Sequence, residues 1–587
     1  MAGSSMVLPS VNSRAESPSL STPRADATPD AGLLAGNSGW LRLLTASANS
    51  TSGGRVASGS ERRALLLLIV GLATVAAIAV RLDGLVRSGF VTASWNYDDA
   101  VFLGSAIRLI HGVLPYRDFV LIVPPGATLL LTPFAAVGNL VGAENALVAA
   151  RLAMPFVGGA NVLLLGLLLR RQAPIVVLVA CFALALYPDG ILTDLTVMLE
   201  PILDLFCLLG AVLLFDGDQF ASSRARMILG GLAFGVAGAV KVWAILPVAV
   251  LGILFMPRLR QRLTPFASGT AAGFLVVCGP FLIAAPRSFL NQVVLAQLGR
   301  SGPSLASHLV RLEFLSGLLT GISAPPQTPH LLVLTGAVCA ALVGGVGFAF
   351  GFIPVASRQM AADRPSAGMH TTDLERFALT SAVVVLAALM WPPEFWYHYP
   401  AFFGPFLALV LGLAAGRLAQ VRPLPAVAVV VVVLAASAIH ALAVPASLPV
   451  LGGTAAQIAR VDSLVPAGAC VLTDDPEFSI EVDRFTARSP GCPQVVDSFG
   501  TTTAASVGHT DPSGVARAAA LWFAYFRRAQ YLMLSQASAT RIVWTPALQR
   551  YVYQHFTLVT QDPWLILKRS SKVLTGKPGY HVPPPLP

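Results

Sequence analysis

The sequence predicts a polytopic α-helical membrane protein of about 11 spans with a C-terminal α/β domain outside the bilayer. Three observations carry this. The 587 residues are 55% hydrophobic and only 12% charged, with mean hydropathy +0.71, whereas a soluble domain carries about 25% charged residues. Apolar runs recur along residues 63–445, with arginines gathered at alternate junctions, the asymmetry expected of membrane topology. Beyond residue 446 the long runs stop, and short β-rich segments alternate with helix-like ones.

Taken in order, residues 1–62 are rich in Ser, Ala, Gly, Thr and Pro without periodicity and read as a disordered tail. Arg62 and Arg63 precede the first span, 64–80, and place that tail in the cytoplasm. Residues 83–120 then face outward. Residues 120–141 are apolar but interrupted at Pro124, Pro125 and Pro133, so they read as helices along the outer interface. Further spans are expected at 147–169, 174–188, 201–215, 266–285, 331–355, 377–390, 401–415 and 426–444. Residues 227–257 have arginines at both ends and are read as two short antiparallel spans turning near Lys241. In 446–575, strands are expected at 469–475, 494–497, 541–544 and 564–568, with a helix over 515–528. Residues 576–587 read as a Pro-rich disordered tail.

A net charge of +10 invites a nucleic-acid reading, but the basic residues are spread through short loops and form no single basic face, so no nucleic-acid partner is expected. Arginine outnumbers lysine 35 to 4, a bias typical of a GC-rich bacterial genome. Four cysteines (Cys181, Cys207, Cys278, Cys339) lie in apolar runs and read as small core residues. Cys470 and Cys492 lie in the polar C-terminal segment and are disulfide candidates if it faces an oxidising compartment.

The residues that carry chemistry are few. Asp98 and Asp99 stand together just outside the first span, where one could cap a helix or both could serve a reaction. Lys241 is the only lysine before residue 568 and lies in an apolar run, so it needs an anion: a lipid phosphate or a structural carboxylate. Glu200 opens a span at its outer end, as a site acid, metal ligand or helix N-terminal charge, and Asp189 and Asp194 share its loop. His398 lies in an aromatic outer loop and is a candidate for phosphate or sugar hydroxyls; Arg108, His111 and Arg117 are spare cations after the acidic pair. No Gly-rich phosphate loop, His/Cys metal cluster or nucleophile elbow is present. An outer-face site without a nucleotide fold implies a donor that is itself in the membrane.

The run from Asp98 to Gly112, the Leu114–Phe119 segment and Pro124-Pro125-Gly126 resemble the first outer loop of the GT-C glycosyltransferases. These membrane enzymes use polyprenyl-phosphate sugars and include protein O-mannosyltransferases, the lipid A aminoarabinose transferase and actinobacterial arabinosyl- and mannosyltransferases. Gly231 to Lys241 is similar to their G-x-x-x-G-x-x-x-x-x-K segment, Val197–Ile202 to the acidic start of their fourth span, and Tyr397-His398-Tyr399-Pro400 to their bacterial members. The resemblance covers roughly residues 60–587 and rests on motif order; the acidic pair is Asp-Asp where the O-mannosyltransferase branch has Asp-Glu. It implies inverting transfer outside the plasma membrane, from a polyprenyl-phosphate-linked sugar (mannose first, arabinose next) to a cell-envelope glycan, lipid or protein. Asp98 would be general base, and Asp99, with Glu200 and Asp194, would orient the acceptor or hold a divalent cation. Lys241, His398 and Arg117 would receive the donor phosphate. The competing classes are a transporter or flippase for a lipid-linked or anionic substrate, and a scaffold using the outer domain.

Overall fold

The computed structural model describes residues 59–92, 96–298, 308–316, 329–352, 371–392, 394–421, 455–506, 512–535, 541–576 and 578–584. The tail before residue 59 and the expected span 426–444 lie outside them. The helices that matter here are α1 (Gly59–Arg87), α2 (Tyr97–Ile110), α3 (Gly126–Val141), α4 (Ala143–Leu168), α5 (Pro174–Ala185) and α6 (Leu199–Leu214). Then come α7 (Arg224–Val240), α8 (Ile245–Phe255), α9 (Thr264–Ala284), α10 (Pro329–Phe352), α11 (Asp373–Met390) and α12 (Gly404–Val421). Ser60–Arg87, Ala143–Leu168, Tyr399–Val421 and the helical run Val242–Ala284 are long and apolar enough to cross a bilayer.

Small residues set the packing of α7 and α9. Gly231 and Gly235 of α7 abut the backbone at Phe266 and Thr270, while Gly269 and Gly273 of α9 abut the backbone at Ile228 and Leu232. A methyl at any of these positions would collide with a carbonyl, so the two helices touch backbone to backbone. The register advances in the same direction along both helices, so α7 and α9 run parallel. The chain therefore travels back between them through α8 and reverses at Met256–Leu263, as the expectation of short antiparallel segments turning near Lys241 requires.

The two ends of the bundle differ in charge. At one end Arg62 donates to the Gln172 carbonyl (2.7 Å), Arg171 pairs with Asp216 (2.8 Å) and Arg417 pairs with Glu375 (2.6 Å). Arg226, on the carbonyl of Phe215 at 2.7 Å, belongs to the same end. The starts of α2, α4 and α6 and the C-terminal domain gather at the other. The interface expectation for 120–141 takes the form of one helix, α3, with Pro133 inside it. Its start lies against Ala239 and its far turn against Ala146, both at that second end, so α3 runs along it.

The C-terminal domain holds a four-stranded sheet in the order β1 (Val471–Thr473), β2 (Tyr531–Leu534), β4 (Leu565–Arg569), β3 (Phe556–Thr560). β1 and β2 are parallel and the other pairs antiparallel. Of the four expected strands, 494–497 and 541–544 are not strands. The Asp497 carboxylate instead accepts the Gly500 N–H (2.6 Å) at the head of helix Ser498–Ser506, and 541–544 leads into Thr545, which caps Pro546–His555. Cys470 and Cys492 are joined by a disulfide.

Arg151 of α4 ties this domain to the bundle. It is buried, donates to Asp99 (2.8 Å) and the Phe90 carbonyl (3.0 Å), and pairs with Glu477 of the domain. Removing one partner of a buried pair costs about 3–5 kcal/mol. Arg151→Met should therefore leave two buried carboxylates uncompensated and loosen the domain, read as faster proteolysis between bundle and domain; wild-type resistance would contradict this.

Burial raises the Asp474 carboxyl to about 7, against the opposing pull of the Ser535 N–H and Arg541. Burial also raises Asp475 and, more strongly, Glu477. The folded chain then binds more protons than the unfolded one between about pH 4 and pH 7, so stability falls as pH rises through that window. Asp474→Asn should flatten this loss in thermal unfolding measured across the window. An unchanged slope would show that Asp474 does not cause it.

Candidate active site

A cavity of about 310 Å³ lies where the bundle meets the C-terminal domain. Its walls come from the start of α2, the 122–124 turn, the start of α6, the end of α7, the 396–399 loop and the domain. α2 begins there because Asn96 caps it: its side chain accepts the Asp98 N–H (3.1 Å). The same amide donates to Thr196 (2.8 Å) and Tyr397 (2.9 Å), binding three segments together.

Asp98 borders the cavity with its side chain 39% exposed. Asp99 turns the other way, fully buried against Arg151. Adjacent helical residues point about 100° apart, so both cannot face one cavity. Opposite Asp98, the buried Glu200 carboxylate pairs with the Lys241 ammonium and meets His398 Nδ1 at 2.7 Å. His398 Nε2 is 3.8 Å from Asp98 Oδ2, and the Lys241 ammonium also sits 3.9 Å over the Trp243 ring. The structural-carboxylate partner open to Lys241 is thus Glu200. Lys241 reaches the cavity because α7 ends at residue 240 and its own backbone is extended (φ −148°, ψ 132°).

Arg117 is elsewhere: it is solvent-exposed and paired with Asp118 (2.8 Å). Asp194 is buried against Arg81 and does not line the cavity. Asp189 is fully buried, and neither carboxylate oxygen has a hydrogen bond to another described residue. Arg108 is buried over the Phe485 ring at 4.4 Å and donates to the Phe485 carbonyl (2.9 Å). The carboxylates considered for a divalent cation do not fit one. Asp99 is committed to Arg151 and Glu200 to Lys241 and His398, and no group of three or more His, Cys, Asp or Glu among the described residues is arranged to hold a metal.

Sequence reasoning missed the residues that close the cavity from the domain side. Asp497 accepts from the Tyr97 hydroxyl (2.8 Å), and Arg541 lies 4.0 Å over the Tyr97 ring while pairing with Asp475 (2.5 Å). Asn96 could have been found as a cap residue ahead of a helix. Arg541 carries no sequence signal, since only the domain's docking brings it to α2.

No family model matches the chain, and no curated protein does. Among solved structures it is similar to the crystal structure of ArnT from Cupriavidus metallidurans bound to undecaprenyl phosphate, at TM-score 0.53 and 14% identity, over 89% of this chain and 100% of that one. The apo form of the same protein matches at TM-score 0.52 and 13% identity, over 85% and 97%. At such identities the likeness is one of fold alone.

Proposed function

We propose that the protein is a multi-pass plasma-membrane glycosyltransferase that moves a sugar from a polyprenyl-phosphate donor to a cell-envelope acceptor with inversion. The observation that carries this reading is the cavity, with a half-exposed carboxylate on one wall and Lys241 and His398 held on buried Glu200 on the other. The donor class has support in the fold, since the structural neighbour ArnT binds undecaprenyl phosphate. The motif order favours mannose, then arabinose, as the sugar. The disulfide suits an oxidising compartment on the domain side, and the arginine-rich opposite end suits the cytoplasm. On this reading the N-terminus is cytoplasmic.

In the proposed reaction Asp98 takes the proton of an acceptor hydroxyl, whose oxygen attacks the anomeric carbon. The bond from that carbon to the phosphate oxygen breaks on the opposite face, inverting the configuration. The phosphate leaves with an added negative charge beside Lys241 and His398. Lys241 has three N–H donors, so the bond to Glu200 leaves others for phosphate oxygens. Glu200 holds both side chains before the donor arrives, so little reorganisation is needed as the leaving charge develops. Asp99 acts only through position, by anchoring Arg151 behind α2. Asp194 and Arg117 have no part in the step.

A positioned general base supplies about 10²–10⁴ in rate. Asp98→Asn should lose that factor in transfer from polyprenyl-phosphate sugar, with disulfide formation and protease resistance unchanged; wild-type rates would end the assignment of Asp98. Lys241→Gln should lower kcat by about 10²–10³, the usual cost of removing a charge-stabilising donor. Lysine serving only to neutralise Glu200 would instead lower folded yield while sparing kcat.

A further inference from the structure

The C-terminal domain contributes Asp497, Phe499 and Arg541 to the cavity wall. Arg541 is the telling one. One guanidinium N–H donates to Asp475 and one guanidinium face covers Tyr97, while its other N–H groups make no hydrogen bond to a described residue. The side chain keeps 23% of its surface and borders the same cavity as Asp98. Fixed on two sides, the guanidinium still has N–H donors available to a ligand in the cavity it lines.

The rest of that wall fits a carbohydrate. Sugars present C–H faces that stack on aromatic rings and paired hydroxyls that take two bonds from a planar group. Trp396 and Phe499 offer rings, and Arg541 offers a planar donor fork. A volume of about 310 Å³ is at the small end of ligand sites, about 300–1,000 Å³, and admits only sugar-sized groups beside the lipid phosphate. Peptides bind by adding a strand to a sheet edge or laying a helix in a groove, and this cavity, partly open, is lined by side chains from several separate segments.

We infer that the acceptor is a carbohydrate hydroxyl and that Arg541 is a specificity-determining residue, its guanidinium edge gripping the acceptor sugar beside Asp98. This rests on the transferase reading above and assigns the C-terminal domain the acceptor side of that site.

The test uses the full chain in proteoliposomes, with labelled polyprenyl-phosphate mannose or arabinose and three acceptor fractions from the envelope of a deletion strain: polysaccharide, protein and lipid. Label should enter the polysaccharide. Arg541→Gln should raise the half-saturating polysaccharide concentration about 10- to 100-fold, the loss of one charge-assisted bond, with kcat and donor half-saturation within about threefold. Arg541→Lys should recover little of it, since an ammonium lacks the fork. Asp475→Asn, which breaks the latch but keeps the guanidinium, should move acceptor half-saturation less than about threefold.

Label in protein or lipid would overturn the acceptor class. Equal effects of Arg541→Gln and Asp475→Asn, together with a lowered melting temperature, would reduce Arg541 to a latch and overturn its role. No transfer from either donor to any fraction by the wild-type chain would remove the transferase reading and this inference with it.

Discussion

Arg151 holds the architecture together. A guanidinium stays charged at any accessible pH, so once buried it must be matched by acceptors. Here they come from three places: Asp99 at the head of α2, the carbonyl of Phe90 after α1, and Glu477 in the C-terminal domain. Replacing any of them with solvent would leave a charge in a low-dielectric layer. The domain therefore docks in one position, and that docking brings Asp497 and Arg541 to Tyr97 across some 400 residues of sequence.

The same electrostatic rule organises the cavity. Near the helical layer Arg81 is set on Asp194, Lys241 and His398 on Glu200, and Arg417 on Glu375. Asp98 is set apart from these, half exposed and 3.8 Å from His398. A carboxylate left accessible beside a preassembled lysine and histidine is the asymmetry that a proton-accepting base and a phosphate-receiving wall require. The glycines of α7 serve it indirectly, since their contact with α9 fixes where α7 ends and so where Lys241 emerges.

Much of this was legible in the sequence where chemistry is scarce. A lone lysine in an apolar run had to have an anion, and Glu200 and His398 were singled out for being polar at the same end of their segments; the three meet. What could not be read was direction. Asp98 and Asp99 are neighbours in sequence but diverge on the helix, and only packing decides which faces the cavity. Arg117 is a spare cation in sequence and a surface ion pair in the fold. The strands Tyr531–Leu534 and Phe556–Thr560 carry no clear signal in the sequence, and 541–544, which reads as a strand, is an extended lead into a helix cap; an apolar run alone does not distinguish the two.

The central claim is that the cavity breaks the bond between a sugar and a lipid phosphate. The most direct test places the full chain in proteoliposomes with labelled polyprenyl-phosphate sugar and follows the lipid product. Free polyprenyl phosphate should appear in step with glycosylated acceptor, and only when acceptor is present. Intact polyprenyl-phosphate sugar accumulating in the opposite leaflet, with no free polyprenyl phosphate released, would contradict it and mark the protein as a flippase.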